Sequence, residues 1–124
     1  MNNINGINGD SGFGILWDRV GEANVLLRSI ANENRLMILC LLADGERSVS
    51  EIEALTGARQ PTVSQQLARL RADGIVESRR EGKTIHYSLC CGRTRKLLEE
   101  LGETYRGNAA TMPSDCQGRR DSEF

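Results

Sequence analysis

Between Phe13 and Ile30 the apolar residues Leu16, Val20, Ala23, Leu27 and Ile30 recur every three or four positions, which predicts an amphipathic helix. Asn32-Glu33-Asn34 then breaks the pattern with residues suited to capping. From Arg35 to Ala43 the run Leu36-Met37-Ile38-Leu39-Cys40-Leu41-Leu42 is apolar nearly all round and predicts the most buried helix of the fold, ended by Asp44-Gly45. Ser50 and Glu53 form an S-x-x-E capping box ahead of Ile52 and Leu55, which predicts a third helix starting at Ser50. Thr56-Gly57-Ala58 turns the chain, and a fourth helix starts at Pro61, whose fixed φ suits a first turn, and stops at Gly74. Ile75–Arg80 and Thr84–Leu89 are strand-like and joined at Glu81-Gly82-Lys83, with Ile85, Tyr87 and Leu89 alternating with His86 and Ser88. Thr94–Tyr105 gives a last helix striped by Leu97, Leu98, Leu101 and Tyr105.

The order α-α-α-α-β-β-α predicts a mainly α fold with a small β-hairpin, a winged helix-turn-helix, over residues 13–106. Residues 1–12, with little to bury, and 107–124, dominated by Gly, Asn, Pro, Ser and charges, are expected to be flexible tails. The fourth helix has two chemically distinct faces. Val63, Leu67 and Leu70, at i, i+4 and i+7, seat it on a core, which turns Thr62, Ser64, Gln65, Gln66 and Arg69 outward. Short polar side chains on such a face reach base edges, so Gln60, Thr62, Ser64, Gln65 and Arg69 are candidate readers of double-stranded DNA.

Charge sharpens that expectation. The net charge of the 124 residues is −1, but Arg59–Lys96 holds nine basic and three acidic residues, a net of +6. The remainder carries −7, so one region faces phosphates while the other resists non-specific adhesion. At the hairpin Arg79, Arg80 and Lys83 are candidate contacts to phosphate or the minor groove. No run approaches the roughly 20 apolar residues of a membrane span, and the amino terminus lacks the basic and apolar segments of a signal peptide, pointing to a cytoplasmic protein. An enzyme with a Cys nucleophile fits poorly, because the single His lies in the hairpin and no Gly-rich phosphate loop is present. No cofactor is implied.

Four cysteines, Cys40, Cys90, Cys91 and Cys116, do not form a disulfide framework, since two are adjacent. Metal-ligand spacing is missing from the third and last helices, and His86 stands alone in the hairpin. Cys90 and Cys91, as vicinal thiols, remain an alternative site for an arsenical or soft metal, with Cys116 as a third donor. Cys40 is either a small buried hydrophobe or a sensing thiol.

From Ala23 to Tyr105 the chain resembles the ArsR/SmtB repressors, in Ile30-Ala31-Asn32-Glu33-Asn34-Arg35-Leu36-Met37-Ile38-Leu39, in Gln60-Pro61-Thr62-Val63-Ser64-Gln65-Gln66-Leu67 and in Arg79-Arg80-Glu81-Gly82-Lys83. The resemblance implies a homodimer formed by the first and last helices, a palindromic operator and repression relieved by an inducer. The setting of Cys40 looks like the subgroup that senses sulfide, persulfides or oxidants through a dithiol. In that subgroup the second cysteine ends the last helix, where this chain has Arg106, which leaves Cys116 on the tail as the candidate partner of Cys40.

Overall fold

The computed structural model describes residues 3–4 and 6–107, and the chain divides after Cys90 into two compact units. The first begins with a hairpin of β1 (Asn3–Ile4) and β2 (Ile7–Asn8), where a tail was expected. Turn chemistry builds the junction that follows: Asn8 Oδ1 accepts from the Asp10 N–H at 2.9 Å, and Ser11 Oγ accepts from the Gly14 N–H at 3.1 Å to cap the first helix. A Cβ on Gly14 would collide with the Asn8 carbonyl oxygen, so only glycine permits this approach.

The expected helix over 13–30 is two helices, α1 (Gly12–Asp18) and α2 (Val20–Ile30). Arg19, at φ −120° and ψ 27°, leaves helical geometry and serves as C-cap of one and N-cap of the other. The apolar spacing continues across this break, so periodicity alone does not reveal it. Next, α3 (Glu33–Asp44) is capped by Asn32, whose Oδ1 accepts from the Arg35 N–H at 3.1 Å. Its burial is one-sided: Ile38, Leu39 and Leu42 are enclosed, while Met37 and Cys40 are exposed. The apolar-all-round sequence therefore does not make a helix buried all round.

A two-residue strand β3 (Arg47–Ser48) precedes α4 (Val49–Thr56). The capping box lies at Ser48 and Glu51 and not at Ser50 and Glu53: the Glu51 N–H donates to Ser48 Oγ, and the Ser48 N–H to Glu51 Oε1. Both frames satisfy S-x-x-E. Pairing of Ser48 with His86 holds Ser48 extended, and the helix starts directly after it. Gly57, at φ 81°, ends α4 in the left-handed region and redirects the chain into α5 (Gln60–Ala72). Strands β4 (Val76–Glu81) and β5 (Thr84–Leu89) then meet at a two-residue turn with Gly82 at φ 66°.

The sheet order is β3-β5-β4. Because β5 is central, its residues 85–89 are all partly covered, and the expected alternation of buried and exposed positions is absent. The core joins Ile30, Ile38, Leu39, Leu42, Ile52, Val63, Leu67, Leu70, Ile75 and Val76. This is a winged helix-turn-helix, with α4 and α5 as the helix pair and β4–β5 as the wing. The second unit holds α6 (Gly92–Arg106), on which Leu97 and Leu98 are half-buried while Leu101 and Tyr105 are exposed.

Leu67 is fully enclosed and lies midway along the seat of α5. Leu67→Ala is expected to lower stability by about 2–5 kcal/mol, read from urea unfolding at fixed protomer concentration.

Candidate nucleic-acid interface

Helix α5 is oriented by a single stripe. Val63, Leu67 and Leu70 are each 0% exposed, so the opposite side is forced outward. Gln60, Ser64, Gln65 and Arg69 are exposed on that side and Thr62 is half-buried. Arg59, extended at φ −79° and ψ 156°, is the N-cap, and Pro61 falls in the first turn, where its missing N–H costs no helical bond. The Thr56 hydroxyl stiffens the entry, donating to the Ile52 carbonyl at 2.7 Å and accepting from the Ala58 N–H at 3.2 Å.

The expected DNA-facing residues are not equivalent in their surroundings. Gln60, Ser64 and Gln65 occupy the first two turns, whereas Arg69 lies towards the other end and pairs with Asp73 at 3.1 Å. Gln66 is not an outward reader: its Oε1 accepts from Arg35 Nη1 at 2.9 Å, which turns the carboxamide towards α3. On the wing, Arg79 makes two 2.8 Å hydrogen bonds to the Glu46 carboxylate and approaches Glu81 at 3.5 Å. These contacts hold Glu46 below the ordinary carboxylate range and raise Arg79 further. Arg79 thus reaches any phosphate already paired, while Arg80 and Lys83 are exposed. A groove of about 240 Å³ runs between the starts of α4 and α5 and the wing, lined by Ser48, Ser50, Gln60, Lys83 and Thr84 among others. Its hydroxyls, carboxamide and ammonium suit a sugar-phosphate edge.

Sequence reasoning missed the network that fixes α5 in place. The Ser29 hydroxyl of α2 donates to Asp73 Oδ2, which also accepts from Arg69. Arg35 of α3 donates from Nε to the Ser29 carbonyl at 2.5 Å and from Nη2 to the Arg28 carbonyl at 3.4 Å, besides holding Gln66. The Ser29 hydrogen bond, with help from Arg69 and the charge of Arg35 and against a smaller opposing effect of burial, lowers the Asp73 pKa. Ser29 and Asp73 are 44 residues apart and Arg35 and Gln66 are 31 apart, and no local pattern announces these two contacts.

The thiols are dispersed. Cys40 is exposed on α3, so it is not a buried hydrophobe. Cys90 is exposed with Sγ 3.6 Å from the Gly74 carbonyl oxygen, and Cys91 is half-buried as the N-cap of α6. Cys116 lies outside the described residues. Among the described residues, no three His, Cys, Asp or Glu side chains are grouped to hold a metal ion, and no helix is long and apolar enough to cross a membrane.

A family profile described as bacterial regulatory protein, arsR family, matches residues 32–78. The biofilm growth-associated repressor of Agrobacterium fabrum is 49% identical over 83 residues, covering 67% of this chain and 71% of that protein. The transcriptional activator HlyU of Vibrio cholerae is 43% identical over 84 residues, covering 68% and 78%. A homodimeric winged helix-turn-helix DNA-binding domain from Mycobacterium bovis superposes with a TM-score of 0.61 at 29% identity, covering 95% of this chain and 99% of that one.

A depressed Asp73 pKa gives a signed expectation. The ionised carboxylate stabilises the fold above its unfolded pKa of about 3.9, and that contribution fades as pH falls through the lower folded value. The protein is therefore expected to be more stable than Asp73→Asn at pH 7, with the difference shrinking steadily below about pH 4, as followed by urea unfolding at each pH.

Proposed function

The chain belongs to the arsR family of bacterial regulatory proteins, and on that premise we propose that it is a homodimeric repressor of a palindromic operator, released when its thiols are modified. It is a DNA-binding transcriptional regulator and not an enzyme. The observation that carries the proposal is the exposed polar start of α5 beside a cationic wing. In this reading Gln60, Thr62, Ser64 and Gln65 read base edges in the major groove, with Arg69 flanking them. Arg80 and Lys83 grip the backbone, and Arg79 joins them by exchanging Glu46 for phosphate.

Apolar faces supply the argument for a dimer. Leu16, Val20 and Leu27 are 50%, 53% and 50% exposed, and the α6 stripe leaves Leu101 and Tyr105 open. Pairing of α1, α2 and α6 with the same helices of a second copy covers both sets. Two α5 helices then meet successive major grooves about 34 Å apart.

Cys40 is the proposed sensing thiol, with Cys116 as its partner and a small sulfur donor or oxidant as inducer. Support comes from its exposure and from its place on α3, the helix whose Arg35 grips Gln66 of α5. Bridging Cys40 to Cys116 shifts α3 and with it the recognition helices. The vicinal Cys90 and Cys91 supply the competing arsenical-sensing route.

The test is fluorescence anisotropy on a duplex selected from random sequence, before and after inorganic tetrasulfide. Tetrasulfide is expected to weaken binding by ten-fold or more, and Cys40→Ser to abolish the response. Unaltered release from Cys40→Ser, or release lost only in Cys90→Ser or Cys91→Ser, would contradict the assignment.

A further inference from the structure

Apolar packing holds a helix without direction, because burial depends on area and not on angle. For α5 the directional constraints come from one edge. Gln66 and Asp73 are seven residues apart, two turns or about 10 Å along the axis, and share the flank where the core stripe meets the outward face. Ser29 of α2 binds Asp73 there, and Arg35 of α3 binds Gln66.

The Arg35 guanidinium is itself pinned. It is half-buried, and its Nε and Nη2 donate to the carbonyls of Ser29 and Arg28. Both carbonyls belong to the last turn of α2, where no donor within the helix reaches them and where the helix dipole favours a cation. With two of its nitrogens committed to α2, the planar group presents Nη1 to Gln66 Oε1 at 2.9 Å. A lysine ammonium, a compact point charge, cannot hold three acceptors in this fan. Gln66 neighbours Gln65 and lies one turn from Thr62 and Arg69, so a shift at Gln66 passes through the stiff helix to the candidate readers.

We propose that Arg35 is a positioning residue for sequence discrimination: through Gln66 it fixes where α5 presents its reading residues, without contacting DNA itself. The inference rests on the reading of α5 as the base-contacting helix. Hydrogen bonds to base edges weaken steeply once distance and angle depart from the ideal, whereas attraction between a cation and a phosphate falls slowly with distance. A small displacement of α5 therefore costs discrimination between sequences before it costs attraction to the backbone. Gln66, in this arrangement, is a strut engaged by Arg35 and not a reader of bases.

The experiment measures the affinity of the full chain for a selected operator duplex and for random-sequence duplex across a salt series, in Arg35→Lys, Gln66→Met, their combination and Gln66→Glu. Arg35→Lys and Gln66→Met are each expected to lower the ratio of the two affinities by about two- to thirty-fold, with the salt slope unchanged. The double variant is expected to lose no more than the worse single one, since both substitutions remove one contact. Gln66→Glu keeps the acceptor and is expected to keep the ratio, while its added negative charge weakens both affinities. Partial unfolding lowers both affinities together and leaves the ratio intact, so a merely structural role does not mimic this pattern. Should Arg35→Lys fail to fold, Gln66→Met against Gln66→Glu makes the same comparison. An unchanged ratio in Arg35→Lys or Gln66→Met overturns the proposal, as do losses that multiply in the double variant. Discrimination lost in Gln66→Glu but kept in Arg35→Lys would make Gln66 a base reader and overturn it as well. Equal binding of the two duplexes by the unsubstituted protein would instead overturn the reading of α5, and the positioning role with it.

Discussion

Everything at the interface depends on how α5 is seated. Val63, Leu67 and Leu70 bury one stripe of that helix completely, in a core with Ile38, Leu39 and Leu42 of α3 and Ile52 of α4. A helix anchored along one stripe has no freedom to rotate about its axis without exposing apolar surface, so its polar residues face outward as a consequence of packing. The surface proposed to read bases is the complement of the core.

Packing fixes rotation, and the polar network fixes placement along the axis. Asp73 at the C-terminal end of α5 is gripped by Ser29 of α2, and Gln66 in the middle by Arg35 of α3. Arg35 also binds the carbonyls at the end of α2, so two helices and the recognition helix share one guanidinium. This gives a physical route from α2 and α3, where the exposed apolar residues Val20 and Leu27 and the exposed Cys40 lie, to the surface proposed to meet DNA. The wing is set differently. Arg79, though exposed, is held by Glu46 at the edge of the wing, and Arg80 and Lys83 are exposed beside it.

Much of this was legible in the chain because it is local. Period-3.6 spacing located α5 and α6, a continuous apolar run located α3, Gly57 and Gly82 marked the turns that need positive φ, and the outward residues of α5 followed from the position of its stripe. What was hidden is what depends on distant partners. The capping box expected at Ser50 and Glu53 overlaps a second S-x-x-E frame at Ser48 and Glu51, and only the pairing of Ser48 with His86 selects the latter. The break at Arg19 kept the apolar spacing intact. Gln66 looked like its neighbour Gln65, and only Arg35, 31 residues away, separates a strut from a reader. The thiols were the least legible, since exposure of Cys40 and the surroundings of Cys91 are properties of the folded chain.

The central claim divides labour between α5, which reads bases, and the wing, which grips phosphates. The most direct test is the affinity for a selected operator and for random-sequence duplex across a salt series, for Gln65→Ala and Lys83→Ala. The account predicts that Gln65→Ala lowers the ratio of the two affinities by the equivalent of about 1–3 kcal/mol per half-site and leaves the salt slope unchanged. Lys83→Ala should instead flatten the slope by about 0.9 for each phosphate no longer neutralised, with the ratio preserved. A Gln65→Ala variant that retains full discrimination while losing salt dependence would contradict the account.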